Sequence, residues 1–169
     1  MKFVGEKLAL LAKLEKDDSN RNLLGRSAYN RFYYASFLVT REMLATLDPS
    51  WKTTAHSRIP ELLSVTVTKE VKKVLKASAR KGIISEAEEK SWFSRLSTAC
   101  SELSKLLKIA YEIRVVADYT PENLIVFDRG VISLDGCKLP TANEWYSQAS
   151  AYCKVIQKVW KDSGLAHSN

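Results

Sequence analysis

Arg114, Asp118 and Tyr119 belong to the run Arg-Val-Val-Ala-Asp-Tyr, near the end of the longest apolar-periodic stretch in the chain. These side chains suit phosphodiester chemistry. A guanidinium stabilises charge that builds on phosphorus, and a carboxyl or phenol group with a shifted pKa can handle a proton. On a helix Arg114 and Asp118 stand four residues apart and can pair directly. With the basic residue first, that pair is in the weaker orientation, and the dipole at a helix C-terminus opposes the acid. A plain intrahelical salt bridge is the competing explanation. As a stability device it is poor, which points to a tertiary or functional role for one partner.

A second constellation is Arg26 to Phe37, where three tyrosines, two phenylalanines and two arginines fall within twelve residues. Tyr29, Tyr33 and Phe37 follow one another at four-residue steps and share a helix face. A phenol has an apolar body and a polar tip, so it suits the rim of a core or an interface. Arg31, Tyr33 and Tyr34 are therefore candidates for contact with nucleic acid or a partner. A core helix whose tyrosines reach surface hydrogen bonds is the alternative. The third constellation is basic. At 100° per residue Lys69, Lys72, Lys73, Lys76 and Arg80 fall within an arc of about 100°, with Val67, Val71, Val74 and Leu75 opposite. Glu70 is the only acid between Lys69 and Lys81. Such a row is either a solvated face or a strip that touches phosphates.

Other chemistries lack their residues. There is no phosphate-binding glycine loop ending in Lys and Ser or Thr, no GxGxxG and no GxSxG. Cys100, Cys137 and Cys153 form no CxxC pair, so a zinc ribbon or dithiol motif is absent. The two histidines, His56 and His167, supply no metal cluster. No metal and no cofactor is expected. Asp17/Asp18 and Glu88/Glu89 sit beside helix starts, where acids complement the dipole. The net charge of +7 and pI near 9.3 favour an anionic partner such as RNA, and also serve solubility.

The elements that position these groups are helices. Of the 169 residues 46% are hydrophobic and 27% charged, with six Gly and four Pro. That composition excludes a disordered chain and disfavours a many-stranded sandwich. Apolar periodicity predicts helices over about 2–16, 20–47, 86–118 and 141–162. A fifth helical region, 56–80, third in chain order, holds Pro60 and the run Val65-Thr66-Val67-Thr68, and reads as a short helix followed by a longer one from about Lys69. Trp51 to Ala55 reads as a polar connection. Lys81-Gly82 is a stop and Ser85 an N-cap. Residues 122–137 break the pattern and predict a β-hairpin, its three-residue loop being Asp128-Arg129-Gly130. The expected fold is all-α: an up-and-down four- to five-helix bundle with a small β-hairpin inserted before the last helix. It forms a single domain over 1–165, with 166–169 a frayed tail. No apolar stretch reaches a membrane span and the N-terminus lacks a signal-peptide pattern, which predicts a cytoplasmic protein without membrane contact.

Taken in order, these stretches resemble the HEPN family (higher eukaryotes and prokaryotes nucleotide-binding domain). Ser27-Ala-Tyr-Asn-Arg31-Phe-Tyr33-Tyr34-Ala35-Ser-Phe37 is similar to the family's helix carrying Ser, Arg, Tyr-Tyr-Ala and Phe. Lys52-Thr-Thr-Ala-His56 resembles its Lys-Thr-His segment, and Arg114-x-x-Ala117-Asp118-Tyr119 its Arg-x-x-Ala-Asp-Tyr signature. The matches span about residues 20–120.

The resemblance implies a helical bundle that dimerises or joins a heteromer, often with a nucleotidyltransferase. It further implies a place in prokaryotic toxin–antitoxin or phage-defence modules. Many members are metal-independent ribonucleases, with Arg, four to six residues, then His as their catalytic signature. At that spacing Pro49, Ser50 and Trp51 precede His56, Trp160, Lys161 and Asp162 precede His167, and Tyr119, Thr120 and Pro121 follow Arg114. The signature is absent. The expectation is accordingly a HEPN-like protein that binds RNA, a nucleotide or a partner subunit through Arg31, Tyr33, Tyr34, His56 and the basic row. The alternatives are a divergent ribonuclease using Arg114, Asp118 and Tyr119, and a structural adaptor.

Overall fold

The computed structural model describes residues 1–165; the tail over 166–169, with His167, lies outside the described residues. The chain is mostly helical, as the periodicity predicts: 79% of it is in helix, with a small antiparallel sheet before the last helix. The long helices are α1 (Lys2–Leu14), α2 (Asp18–Leu47), α4 (Thr68–Arg80), α5 (Glu86–Tyr119) and α6 (Leu139–Asp162). A single turn, α3 (Ile59–Glu61), stands among irregular helical turns ahead of α4. No helix among the described residues is long and apolar enough to cross a membrane. Packing divides the chain into two compact units.

The first unit comprises Met1–Leu38 and Leu106–Gln148. Asp17 starts α2 by accepting a hydrogen bond from the Asn20 amide (2.8 Å). Tyr29, Phe32, Ile132, Leu134, Leu139 and Trp145 form its buried centre. The aromatic side of α2 is thus turned inward: Tyr29, Phe32, Tyr33 and Phe37 are all 2% exposed or less. Tyr33, a candidate for contact with nucleic acid or a partner, is therefore a core side chain, as the alternative of a core helix has it.

The predicted hairpin is a three-stranded sheet, β1 (Val126–Asp128), β2 (Val131–Leu134) and β3 (Cys137–Lys138). Its register pairs Phe127 with Ile132 and Leu134 with Cys137. The first loop is two residues long, not three. Arg129 and Gly130 both hold positive φ (47° and 78°), and Asp135-Gly136 repeats the device (48° and 75°) to add the third strand. A turn with positive φ at both central positions matches strand twist and needs glycine at one of them. Ile132 and Leu134 point inward. The Tyr29 hydroxyl donates to the Cys137 carbonyl (2.5 Å), and the Ile125 amide donates to Asn22 Oδ1 (3.0 Å), which fastens the sheet to α2.

The second unit comprises Val39–Lys105 and the chain from Ala149 onward. Leu44, Ile59, Leu63, Val67, Leu75, Leu96, Leu103 and Ile156 are among its buried side chains. The predicted polar connection is largely helical, and the predicted helical region 56–80 holds an irregular turn. Pro49–Thr53 forms a 3-10 turn capped by Asp48, which accepts from the Ser50 amide (2.8 Å). Leu62–Val67 is a π-helical turn leading directly into α4. The hydroxyls of Ser64 and Thr68 donate to the carbonyls of Pro60 (2.8 Å) and Ser64 (2.7 Å), competing with backbone amides for the ladder and widening it. Gly82 ends α4 and Ser85 caps α5 as expected. The Glu88 amide donates to Ser85 Oγ (3.2 Å) and the Ser85 amide to Glu88 (2.8 Å), a reciprocal capping box. Those bonds, the backbone one foremost, hold the Glu88 carboxyl below its ordinary pKa.

Candidate functional site

The C-terminal turns of α5 meet α2 in the first unit, and there the structure assembles one cluster. Arg114 Nη2 donates to Asp118 Oδ2 at 2.9 Å, so the pair predicted from spacing is formed. Asn30 Nδ2 donates to the other carboxylate oxygen at 2.5 Å. The guanidinium also faces the rings of Tyr34 and Tyr119 at 5.8 and 5.3 Å, and Nη2 lies 3.4 Å from the Tyr34 hydroxyl. Burial, the largest influence on Arg114, works against its charge. Asp118, with Tyr119 and Tyr34, outweighs it, and the pKa is raised. Tyr33 lies beneath, stacked on Phe37 (6.1 Å) and edge-on to Tyr34 and Tyr111. Burial, then Tyr34, push its phenol well above the ordinary value, against the pull of Arg114, so it is no proton-transfer group.

Arg26 holds this end of α5 in place. It is 8% exposed, and its guanidinium donates to the carbonyls of Ala117 (2.9 Å), Val116 (2.9 Å), Thr120 (3.1 Å) and Asn123 (2.7 Å). The last carbonyls of a helix have no intrahelical donor and carry its negative partial charge, so a cation there meets both needs. Sequence reading passes over Arg26 and Asn30 as site residues. Their partners lie about ninety residues away, and only the fold joins them.

With both oxygens of Asp118 engaged and Arg114 neutralised, the cluster is a charge-balanced tie between two helices. Arg114 Nε and Asn30 Oδ1 are buried without a hydrogen-bonding partner among the described residues. Arg31 is not part of the cluster; it reaches back to the Met1 sulfur (3.8 Å).

The basic row lies in the second unit. Lys69, Lys72, Lys73, Lys76 and Arg80 are all exposed, while Val67, Val71 and Leu75 are buried beneath them. Four of the lysines line an open groove of about 490 Å³ with Ser64, Val65, Thr68 and Phe93. Lys72 Nζ sits 5.1 Å from the Phe93 ring centre. Among the described residues none of the five cations forms an ion pair within 4.0 Å. Lys76 and Arg80 are in a different setting from the rest. They line a neighbouring groove of about 280 Å³ with Glu86 and Glu89, while Lys69, Lys72 and Lys73 line only the groove without a carboxylate. His56 lies in a 3-10 turn, His56–Arg58, and is half-buried.

Other reactive groups are quiet. Cys100 and Cys153 are buried, and burial pushes their thiols up to about 12 and about 11. Such thiols are poor nucleophiles. Among the described residues no group of three or more His, Cys, Asp and Glu side chains could hold a metal ion. No protein-family model, no curated protein and no solved structure matches the chain.

Proposed function

We propose that the chain is a HEPN-like helical protein that binds RNA in a prokaryotic toxin–antitoxin or phage-defence module, without cutting it. The observation that carries this reading is the groove of Lys69, Lys72, Lys73, Lys76 and Phe93. Its lysines have no carboxylate within 4.0 Å among the described residues, and Val65 and the Phe93 ring line the groove beside them. A basic track beside an aromatic platform is what a single strand needs, because phosphates supply sequence-independent affinity and bases stack. The buried valines and leucine under the row fix the lysines on one rigid helix face.

Binding is favoured over cleavage for two reasons. The Arg-x4–6-His spacing is missing. Arg114, the leading candidate for transition-state stabilisation, is already neutralised by Asp118, whose oxygens are both occupied. Arg114 and its neighbours act here as the brace of the first unit. A nucleotidyltransferase is the partner that the resemblance suggests, and co-purification from the native host tests for it.

The direct test mixes the protein with a labelled single-stranded RNA and follows anisotropy and chain length together. The reading requires a rise in anisotropy with the RNA intact. Cleavage that disappears in Arg114→Ala would replace it with the ribonuclease alternative. No anisotropy change at low salt would leave the row as a solvated face.

A further inference from the structure

α1 rests on its own unit by its smallest residues. Gly5 and Ala12 are buried, and a Cβ on Gly5 would come within 2.7 Å of the Phe32 ring, so only glycine lets the helix lie this close. The large apolar residues are turned outward: Phe3 is 67% exposed, Leu10 51%, Leu11 52% and Leu14 69%. With Val4 and Lys7 they occupy an arc of about 120°. In heptad terms Phe3 and Leu10 are d positions, Lys7 and Leu14 are a, Val4 and Leu11 are e, and Glu6 and Lys13 are g. Gly5 and Ala12 are f, directly behind the seam. Beside the Glu6–Lys13 edge the apolar surface continues into an open groove of about 230 Å³, lined by Leu10, Phe32, Leu139 and Pro140.

We infer that this face pairs with the same face of a second copy of the chain, as an antiparallel two-fold helix pair. The pattern is complementary to itself in that orientation. Position a then opposes d, so Phe3 meets Leu14 and Lys7 meets Leu10. Val4 flanks Leu11, apolar on apolar. Glu6 flanks Lys13, acid on base, and the two-fold axis repeats each contact. A parallel pair would instead set Lys7 against Lys7 inside the seam. Lys7 already lies over the Phe3 ring (5.3 Å), which leaves its charge at the edge and its stem as apolar cover. Isolated helices of this length are marginal, but α1 is already folded on Phe32, so pairing does not have to order it. The inference stands apart from the RNA reading.

Light scattering and sedimentation over a concentration series test it. The wild type should dimerise, and Leu10→Glu with Leu14→Glu should give a monomer with an unchanged circular dichroism spectrum, since both side chains are exposed. Glu6→Lys or Lys13→Glu alone should weaken the dimer roughly tenfold, because symmetry doubles each like-charge contact. The double reversal should restore it. A wild type that stays monomeric, a dimer indifferent to Leu10→Glu with Leu14→Glu, or a double reversal without rescue would overturn the inference. So would a monomer that binds anionic vesicles through these leucines.

Discussion

Arg114 is held by more partners than its sequence neighbours supply. Asp118 takes one of its amino groups, while Tyr34 and Tyr119 present their rings to the guanidinium. Arg114→Ala should therefore lower stability by about 1–2 kcal/mol, the scale of a partly screened charge-assisted contact. Affinity for single-stranded RNA should stay within about threefold, as expected for a residue outside the phosphate-binding row. Urea melts and anisotropy on one preparation check both. Arg26 is the stronger case. Arg26→Met keeps much of the stem volume but removes the charged donor from four carbonyls, of which Val116 and Thr120 keep a backbone amide, at a cost of about 2–4 kcal/mol in the same melts. The i,i+4 spacing of Arg114 and Asp118 could be read from sequence. Asn30 and Arg26 could not be read as part of the site, because side chains separated by some ninety residues are joined only by packing.

Elements with local signals were the ones that sequence disclosed. Ser85 and Glu88 mark the start of α5 by a capping box, and Gly82 marks the end of α4. Each signal lies within a few residues of the boundary that it sets. The hairpin was legible, but its loop length was not. Arg129 gives no hint that it adopts positive φ, and nothing in Asp135-Gly136 separates the close of a hairpin from the second turn that it makes. Gly130→Ala should cost about 1 kcal/mol in a thermal or urea melt, purely for conformation, since nothing lies within 4 Å of the added methyl. The π-helical turn at Leu62–Val67 was hidden for a different reason. Hydroxyl back-bonding from Ser64 and Thr68 perturbs the ladder without changing apolar periodicity, because Leu63, Val67 and Val71 keep four-residue steps. In α1 periodicity reveals an apolar stripe without saying which side is covered. Gly5 decides that, by fitting against Phe32 where a larger residue would not, and Ala12 is buried on the same side.

Across the whole molecule the net charge of +7 is unevenly used. Arg26 is spent on helix carbonyls and Arg114 on a carboxylate, while Lys69, Lys72, Lys73 and Lys76 are exposed around one groove and form no ion pair among the described residues. That contrast separates cations that hold the fold from cations available to a ligand. It is also why the proposed RNA binding rests on the row and not on the Arg114 cluster. The most direct test is the salt dependence of RNA binding by the wild type and by a variant with Lys72, Lys73 and Lys76 all changed to Glu. If the three lysines neutralise phosphates, the plot of log affinity against log salt should flatten by about 2 units, at roughly 0.7 per phosphate on a single strand. Affinity at low salt should fall with it, and the fold should be unchanged by circular dichroism. An equal slope and equal affinity in the two proteins would contradict the account.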